Sequence, residues 1–226
     1  FREVNANKNI INSLKVIHRS IYSNHVRKKF KLILDDIKPD IIHIQNLHGH
    51  ITPSILFEAR KQKIPTVMTL HDYKFICPNT HLLSHEKICE SCNRNKFYNC
   101  FIKKCKKNSY LASLVATAEA YIHTLLNVKD LINVFISPSN FLKDKFFEFG
   151  WNGEKIKVIN NFLLKEKFED NSKNIGNYVL YFGQLEPWKG INILLHAAKM
   201  LRDIKFIIVG TGSLENDIKE FVNKNK

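Results

Sequence analysis

The sequence predicts an α/β protein with parallel, doubly wound β-sheets, and two observations support this prediction. Short apolar runs alternate with longer segments of helical periodicity, a pattern typical of βα units that bury a parallel sheet. A polar segment with alternating charges, residues 165–177, then separates a second series of such units from the first. We therefore expect one domain at residues 1–164, a linker at 165–177 and a second domain at 178–226.

In the first predicted domain, helices and strands alternate. Residues 10–38 place apolar side chains three or four positions apart, which predicts a helix that ends before Pro39. Ser139 is a predicted N-cap and Gly150 the glycine at the end of the same helix. The remaining predicted elements are strands at 40–46, 65–70, 133–137 and 155–159 and helices at 53–62 and 110–126.

The helix at 110–126 carries the strongest apolar pattern in the chain. Its large apolar side chains recur at helical spacing, so we expect one broad face of the helix to be buried. That predicted face consists of Leu111, Leu114, Val115, Ala118, Tyr121, Ile122, Leu125 and Leu126.

The second predicted domain begins with a strand at 178–182, a loop from Gly183 to Gly190 and a helix at 191–201. A strand at 205–209 and a glycine turn follow, and Ser213 is the predicted N-cap of a last helix. The order is β-loop-α-β-loop-α, which again predicts a parallel sheet.

Composition excludes several classes of protein. The chain has 226 residues, 44% of them hydrophobic, so it can bury a core and is not expected to be disordered. No apolar run reaches the roughly 18 residues that a membrane span needs. Residues 1–10 also lack the pattern of a secretory signal.

The charge balance indicates anionic partners or a lysine-rich solvated surface. Lys and Arg number 35 against 21 Asp and Glu, which gives a formal net charge of +14. The densest basic cluster lies at residues 87–108, with Phe97, Tyr98 and Phe101 interleaved. Such a patch could stack nucleic-acid bases or contact an anionic membrane.

All five cysteines lie between residues 77 and 105. Two closely spaced pairs, Cys89 with Cys92 and Cys100 with Cys105, could close a tetrahedral zinc site and leave Cys77 as an alternative ligand. Disulfides or reduced loop thiols are the other interpretations. His81 and His85 could replace a thiolate, although loop histidines are more often solvated.

Ligands of doubly wound folds bind beyond the carboxyl ends of the strands. This rule indicates His71, Ser139, the Gly183–Lys189 loop and the turn at Gly210–Ser213. His71 could contact a substrate, or it could be a core histidine paired with Asp72. A looser group of histidines lies near the end of the first strand, where His48 and His50 could line the site and His43 is expected to be structural.

The loop from Gly183 to Gly190 has the residue types of a diphosphate site. Gly183 permits close backbone approach, and Lys189 precedes a helix N-terminus whose dipole favours an anion. Gly210–Gly212 could supply further amides to the same ligand. The alternative is an ordinary βα turn with an exposed lysine and a tight glycine turn, because isolated glycine loops are weak signals.

Taken in order, these segments resemble the retaining glycosyltransferases of family 4, which have the GT-B fold of two facing Rossmann-like domains. The similarity covers roughly residues 35–226, and the cysteine-rich segment looks like the insert of a subgroup. The matching segments are Pro39–Asn46, Pro65–Tyr73, Ile136–Phe141, Tyr178–Gly190 and Val209–Leu214.

The resemblance implies transfer of a sugar from a nucleotide-sugar donor, with retention of configuration and with no cofactor or catalytic metal. Lys189, Gly183, Gln184 and Gly212 would bind the donor, and His71 would face the sugar or its phosphate as the catalytic residue. Ser139 would be a further donor contact. The expected acceptor is a glycan or a lipid-linked glycan, as in surface polysaccharide or glycolipid synthesis.

Two departures from the family pattern qualify this expectation. Gln184 stands where the family usually has an arginine, and it carries no charge for the diphosphate. The family's paired glutamates would lie beyond Lys226 and its first glycine-rich loop before Phe1. We therefore expect an internal fragment with both domains incomplete and little activity by itself.

The same interpretation sets the expected partners and location. A cytoplasmic protein is expected, with its basic patch on the anionic inner face of the membrane. Nucleic acid is a less favoured partner. The alternative function is a catalytically inactive, truncated nucleotide-binding protein.

Overall fold

The computed structural model describes residues 21–47, 51–85, 87–163 and 176–225. The chain divides into two compact units, residues 1–162 and 163–226. Residues 165–175 of the predicted linker lie outside the described residues.

The first unit contains a four-stranded parallel sheet, as the apolar runs predict. Its spatial order is β1-β2-β5-β6, so each later strand is added on the same side of the sheet. The registers pair Ile42 with Thr66, Val67 with Val134 and Phe135 with Ile156. The strands are β1 (Ile42–Ile44), β2 (Thr66–Thr69), β5 (Val134–Ser137) and β6 (Ile156–Val158), and a separate hairpin consists of β3 (Leu83–Ser84) and β4 (Lys87–Ile88).

Five helices accompany these strands within the described part of the unit. They are α1 (Asn24–Ile37), α2 (Ser54–Lys61), α3 (Tyr98–Ile102), α4 (Tyr110–Leu125) and α5 (Asn140–Glu148). The prediction of one continuous helix over 10–38 is wrong. Ser23 has extended backbone and its hydroxyl accepts from the Val26 amide at 3.3 Å, so it caps a new helix at Asn24. Residues 10–20 lie outside the described residues.

Aromatic side chains fill the core beside the sheet. Phe135 of β5 and Phe146 of α5 are fully buried, and the Trp151 ring meets both edge-on at centroid distances of 5.1 and 4.9 Å. Phe75 packs against the same tryptophan at 5.4 Å. Each buried side chain of this size contributes roughly 1.5–3 kcal/mol, so this cluster anchors the sheet that positions the site.

The face of α4 that packs inward differs from the predicted one. The inward residues are small or polar, whereas Leu111 is 68% exposed and Leu125 is 80% exposed. Thr117 donates to the Phe97 carbonyl at 3.3 Å, and Ser113 accepts from the Lys106 amide at 3.0 Å. The helix is held by backbone groups of the cysteine-rich insert, and only short side chains allow that close approach. The buried residues are Ser113, Ala116, Thr117, Ala120 and His123.

The second unit has the predicted order of elements. Strands β7 (Tyr178–Phe182) and β8 (Lys205–Val209) pair in parallel, and helices α6 (Ile191–Met200) and α7 (Glu215–Lys224) follow them. Four apolar residues form its buried core: Leu185, Ile191, Leu195 and Ile218.

The prediction that Ser213 caps the last helix is wrong. Its amide and hydroxyl donate to the Glu186 carboxylate, at 3.1 and 2.7 Å, and α7 begins only at Glu215. A charged acceptor makes the stronger hydrogen bonds and removes serine from the cap position. In the described part of the chain, no helix combines the length and apolar content that crossing a membrane would need.

Candidate functional site

Polar side chains gather at the carboxyl edge of the first sheet, where β1 and β2 end side by side. Gln45 follows β1 and His71 follows β2, and the Gln45 amide oxygen lies 2.7 Å from His71 Nε2. The Gln45 amide nitrogen lies 3.2 Å from His43 Nε2, which in turn lies 2.8 Å from Thr69 Oγ1. Four side chains thus form a continuous hydrogen-bonded chain, which we call the β1–β2 relay.

Two sequence-based interpretations of these histidines are wrong. His71 is exposed and pairs with Gln45, whereas the Asp72 carboxylate accepts from the Lys74 amide at 2.8 Å. His43 is exposed at the polar edge and is no interior structural residue. His48 and His50 lie outside the described residues.

Sequence reasoning missed Gln45, although a usable signal exists. His43 and Gln45 are two positions apart along β1, and Thr69 and His71 are two positions apart along β2. Residues at that spacing share one side of a strand, so adjacent parallel strands bring both pairs together.

Ser139 lies just beyond β5 and does perform the predicted capping. Its hydroxyl accepts from the Leu142 amide at 3.2 Å, and its carbonyl accepts from the Ser137 hydroxyl at 2.7 Å. The cap uses one of the two lone pairs of the hydroxyl, so the hydroxyl proton stays available for contact with a donor substrate. That contact stays a prediction.

In the second unit, the loop after β7 packs directly on the loop after β8. A side-chain carbon on Gly210 would lie 1.8 Å from the Gly183 carbonyl oxygen, and one on Gly212 would lie 2.4 Å from the Leu185 carbonyl oxygen. The Leu185 amide also donates to the Thr211 carbonyl at 3.0 Å. Gly212 therefore has a structural reason to be glycine, namely the absence of space for a side chain.

Lys189 occupies the position expected of an anion-binding residue. It lies in a short 3₁₀ turn, Pro187–Lys189, and Gly190 follows with φ of +73° as the N-cap residue of α6. Within the described ranges, Lys189 is exposed and forms no ion pair. Gln184 is exposed in the same loop, and its carbonyl accepts from the Tyr181 hydroxyl at 2.8 Å.

The cysteine-rich insert contains five free thiols in differing environments. Burial, reinforced by the neighbouring thiols, raises the pKa of Cys92 and of Cys100 to about 12. Burial also opposes ionisation of Cys89, yet the pKa of Cys89 is lowered because Ser91 and the Lys103 ammonium, 3.6 Å from Sγ, outweigh it.

The zinc site predicted at Cys89, Cys92, Cys100 and Cys105, with Cys77 as the alternative, stays a prediction. Among the described residues, no three His, Cys, Asp or Glu side chains are grouped so that they could hold a metal ion. His85 is already engaged, because its Nε2 lies 2.8 Å from the Lys103 carbonyl. His81 is exposed.

The aromatic residues of the basic patch at 87–108 differ in exposure, since Tyr98 is 48% exposed and Phe97 is buried. Phe97 is only 2% exposed and packs in the core of the insert with Cys92 and Cys100. Lys104 lies over the Tyr110 ring at 4.3 Å. The patch presents lysines at its surface, but Phe97 is buried and cannot stack on a base.

Comparison with known proteins gives consistent matches along the chain. The family model for Glycosyltransferase Family 4 matches residues 11–163, and the model for Glycosyl transferases group 1 matches residues 164–226. An uncharacterized 42.6 kDa protein in the cps region of Klebsiella pneumoniae is 26% identical over 195 residues, which cover 84% of this chain and 45% of that protein.

A solved structure supports the same fold. The Anabaena protein HepE, crystallised in complex with UDP, superposes with a TM-score of 0.50 at 19% identity, covering 88% of this chain and 47% of HepE. The chain therefore spans about half the length of the relatives it matches. From the parallel sheets and the family model over residues 11–163, the chain belongs to glycosyltransferase family 4 and has the GT-B fold.

Proposed function

We propose that the protein transfers a sugar from a nucleotide-sugar donor to a glycan or lipid-linked acceptor, with retention of anomeric configuration. The observation that supports this proposal most directly is Lys189, an exposed lysine at the N-terminus of α6 between glycine loops. A lysine and helix amides together suit a diphosphate. The HepE complex contains UDP, which makes a uridine nucleotide the first donor to test.

In the proposed reaction, the bond between the anomeric carbon and the diphosphate oxygen breaks, and the electron pair leaves with the diphosphate. The acceptor hydroxyl attacks from the leaving-group side, and its proton passes to the departing phosphate. Lys189 and the amides of α6 stabilise the charge that develops on that phosphate. His71 is the residue that we expect to contact the transferred sugar.

The acceptor class is supported by a relative. The Klebsiella protein that resembles this chain lies in a cps region, which favours a role in surface polysaccharide synthesis. A surface at the insert also favours an anionic membrane as partner, because Leu111, which is exposed in the first turn of α4, follows closely after the lysines at 104 and 107. Stronger sedimentation with anionic than with neutral liposomes is expected, and equal sedimentation would refute this partner.

The donor site is tested by titrating UDP into the chain and its Lys189→Ala variant. We expect the variant to bind at least about tenfold more weakly, because charge-assisted contacts to phosphate contribute roughly 1.5–3 kcal/mol. Lys199→Ala, in the same helix α6 but in its last turn, is the matched control and should bind as the parent does. If Lys189→Ala bound UDP as tightly as Lys199→Ala does, Lys189 would not be part of the donor site.

Catalysis needs a separate measurement. The whole protein that contains these residues should transfer sugar from at least one nucleotide sugar to a glycan acceptor, with a product of retained configuration. Nucleotide binding without transfer from any donor would favour the alternative, a nucleotide-binding protein without activity.

A further inference from the structure

The β1–β2 relay constrains which ring nitrogen of His71 carries its proton. An amide oxygen only accepts hydrogen bonds, so the 2.7 Å contact from Gln45 Oε1 requires a proton on His71 Nε2. A neutral His71 then has an unprotonated Nδ1. That nitrogen accepts a hydrogen bond, which suits a sugar hydroxyl and does not suit a phosphate oxygen.

The other half of the relay holds the Gln45 amide in this orientation. An amide nitrogen only donates, so the 3.2 Å contact makes His43 Nε2 an acceptor. The Thr69 hydroxyl, 2.8 Å from the same nitrogen, can donate to it as well. In this orientation the Gln45 amide and the Thr69 hydroxyl share the one lone pair of an unprotonated His43 Nε2.

We infer that Gln45 is a positioning residue that fixes the tautomer and orientation of His71, and that His43 and Thr69 fix the orientation of Gln45. The inference rests on the proposed function only in its last step, where His71 accepts from a hydroxyl of the transferred sugar. It explains why a glutamine at the sheet edge lies between two histidines. It also predicts that the substrate group in contact with His71 Nδ1 is a sugar hydroxyl and not a phosphate oxygen.

The tautomer can be measured directly on the ¹⁵N-labelled chain by long-range ¹H–¹⁵N correlation of the histidine rings. The His71 signals are assigned by their loss in His71→Asn. We expect the Nε2-protonated pattern in the parent and a change towards mixed tautomers in Gln45→Leu. Gln62→Leu, which removes an exposed amide that bonds Asp35 at 2.9 Å, is the matched control and should leave His71 unchanged.

Kinetics of the whole protein provide the second readout. Misplacement of a reacting contact can cost on the order of a hundredfold, so Gln45→Leu should lower kcat by about tenfold to a hundredfold with little change in donor KM. Gln45→Glu keeps an oxygen acceptor for His71 Nε2 and should recover part of that loss. Thr69→Val should act in the same direction as Gln45→Leu but more weakly.

The outcomes separate the two proposals. An Nδ1-protonated His71 in the parent chain, or an unchanged His71 signal in Gln45→Leu, overturns the relay whatever the activity. An intact relay by NMR together with a whole protein that transfers no sugar overturns the proposed function. A relay variant with unchanged kcat and an altered tautomer overturns the sugar-hydroxyl contact.

Discussion

At the scale of single residues, Ser139 shows how one side chain can serve the fold at the position expected for a ligand. Its hydroxyl accepts from the Leu142 amide and thereby satisfies one of the free amides at the start of α5. Because the cap and the predicted donor contact involve the same hydroxyl, loss of stability and loss of donor binding must be measured separately in any Ser139 variant.

We therefore expect Ser139→Ala to lower the free energy of unfolding by about 1 kcal/mol, the usual effect of losing an N-cap. Chemical denaturation of the chain measures this change. Ser139→Asn retains a capping oxygen and should unfold like the parent. A Ser139→Ala variant as stable as the parent would show that the cap contributes nothing at this position.

The β1–β2 relay shows that residue type alone predicts the role of a polar side chain poorly. The apolar run around His43 predicts a structural role for it, and Gln45 has no distinctive chemistry that would predict a role in a site. Only the pairing of Ile42 with Thr66 brings the ends of β1 and β2 together. The strand register places His43 and Gln45 beside Thr69 and His71, and the two pairs then form one hydrogen-bonded network.

At the scale of elements, the insert and α4 stabilise each other through unusual contacts. The Lys74 ammonium and the Glu119 carboxylate form a buried ion pair at 2.5 Å, and Thr117 bonds the insert backbone. A helix that serves as a platform for loop backbone needs short side chains on that face. For this reason the buried face of α4 carries short side chains. The leucines that simple amphipathicity predicts to be buried lie on the exposed face.

The thiols of the insert should differ sharply in reactivity. Because its pKa is lowered and it is partly exposed, Cys89 should be alkylated first by iodoacetamide near neutral pH. Cys92 and Cys100, each with a pKa of about 12, should react last. Peptide mass spectrometry over time gives the order.

Replacement of Lys103 by Met should slow the Cys89 reaction, because the ammonium 3.6 Å away favours the thiolate. Lys87→Met, in the neighbouring hairpin, is the control. Metal analysis of the same sample tests the zinc prediction: one zinc per chain with Cys89 protected would support it. Rapid labelling of Cys92 would contradict the thiol order described above.

At the scale of the whole molecule, the two compact units should unfold separately. Gly212→Ala would force a carbon to within 2.4 Å of the Leu185 carbonyl, so it should destabilise the second unit by about 1–3 kcal/mol or more. Calorimetry of this variant should show two unfolding transitions, of which only that of the second unit has a lower midpoint temperature. Gly153→Ala in the first unit, whose added carbon meets nothing closer than 3.6 Å, is the control.

A single transition that shifts as a whole in Gly212→Ala would show that the units unfold together. An unchanged profile would show that the loops after β7 and β8 can separate at little cost. Either result bears on donor binding, since Gly183 and Lys189 belong to the loop on which Gly212 packs.

The sequence by itself determined the order of strands and helices, the parallel arrangement and the glycine loops, because those features follow from local periodicity, apolar runs and turn residues. In the second unit the strands at 178–182 and 205–209 are confirmed residue for residue. The tertiary structure alone decided which face of α4 is buried, that Glu186 removes Ser213 from its cap, and that His71 pairs with Gln45. Each of these depends on a partner distant in the chain, and local periodicity contains no information about that partner.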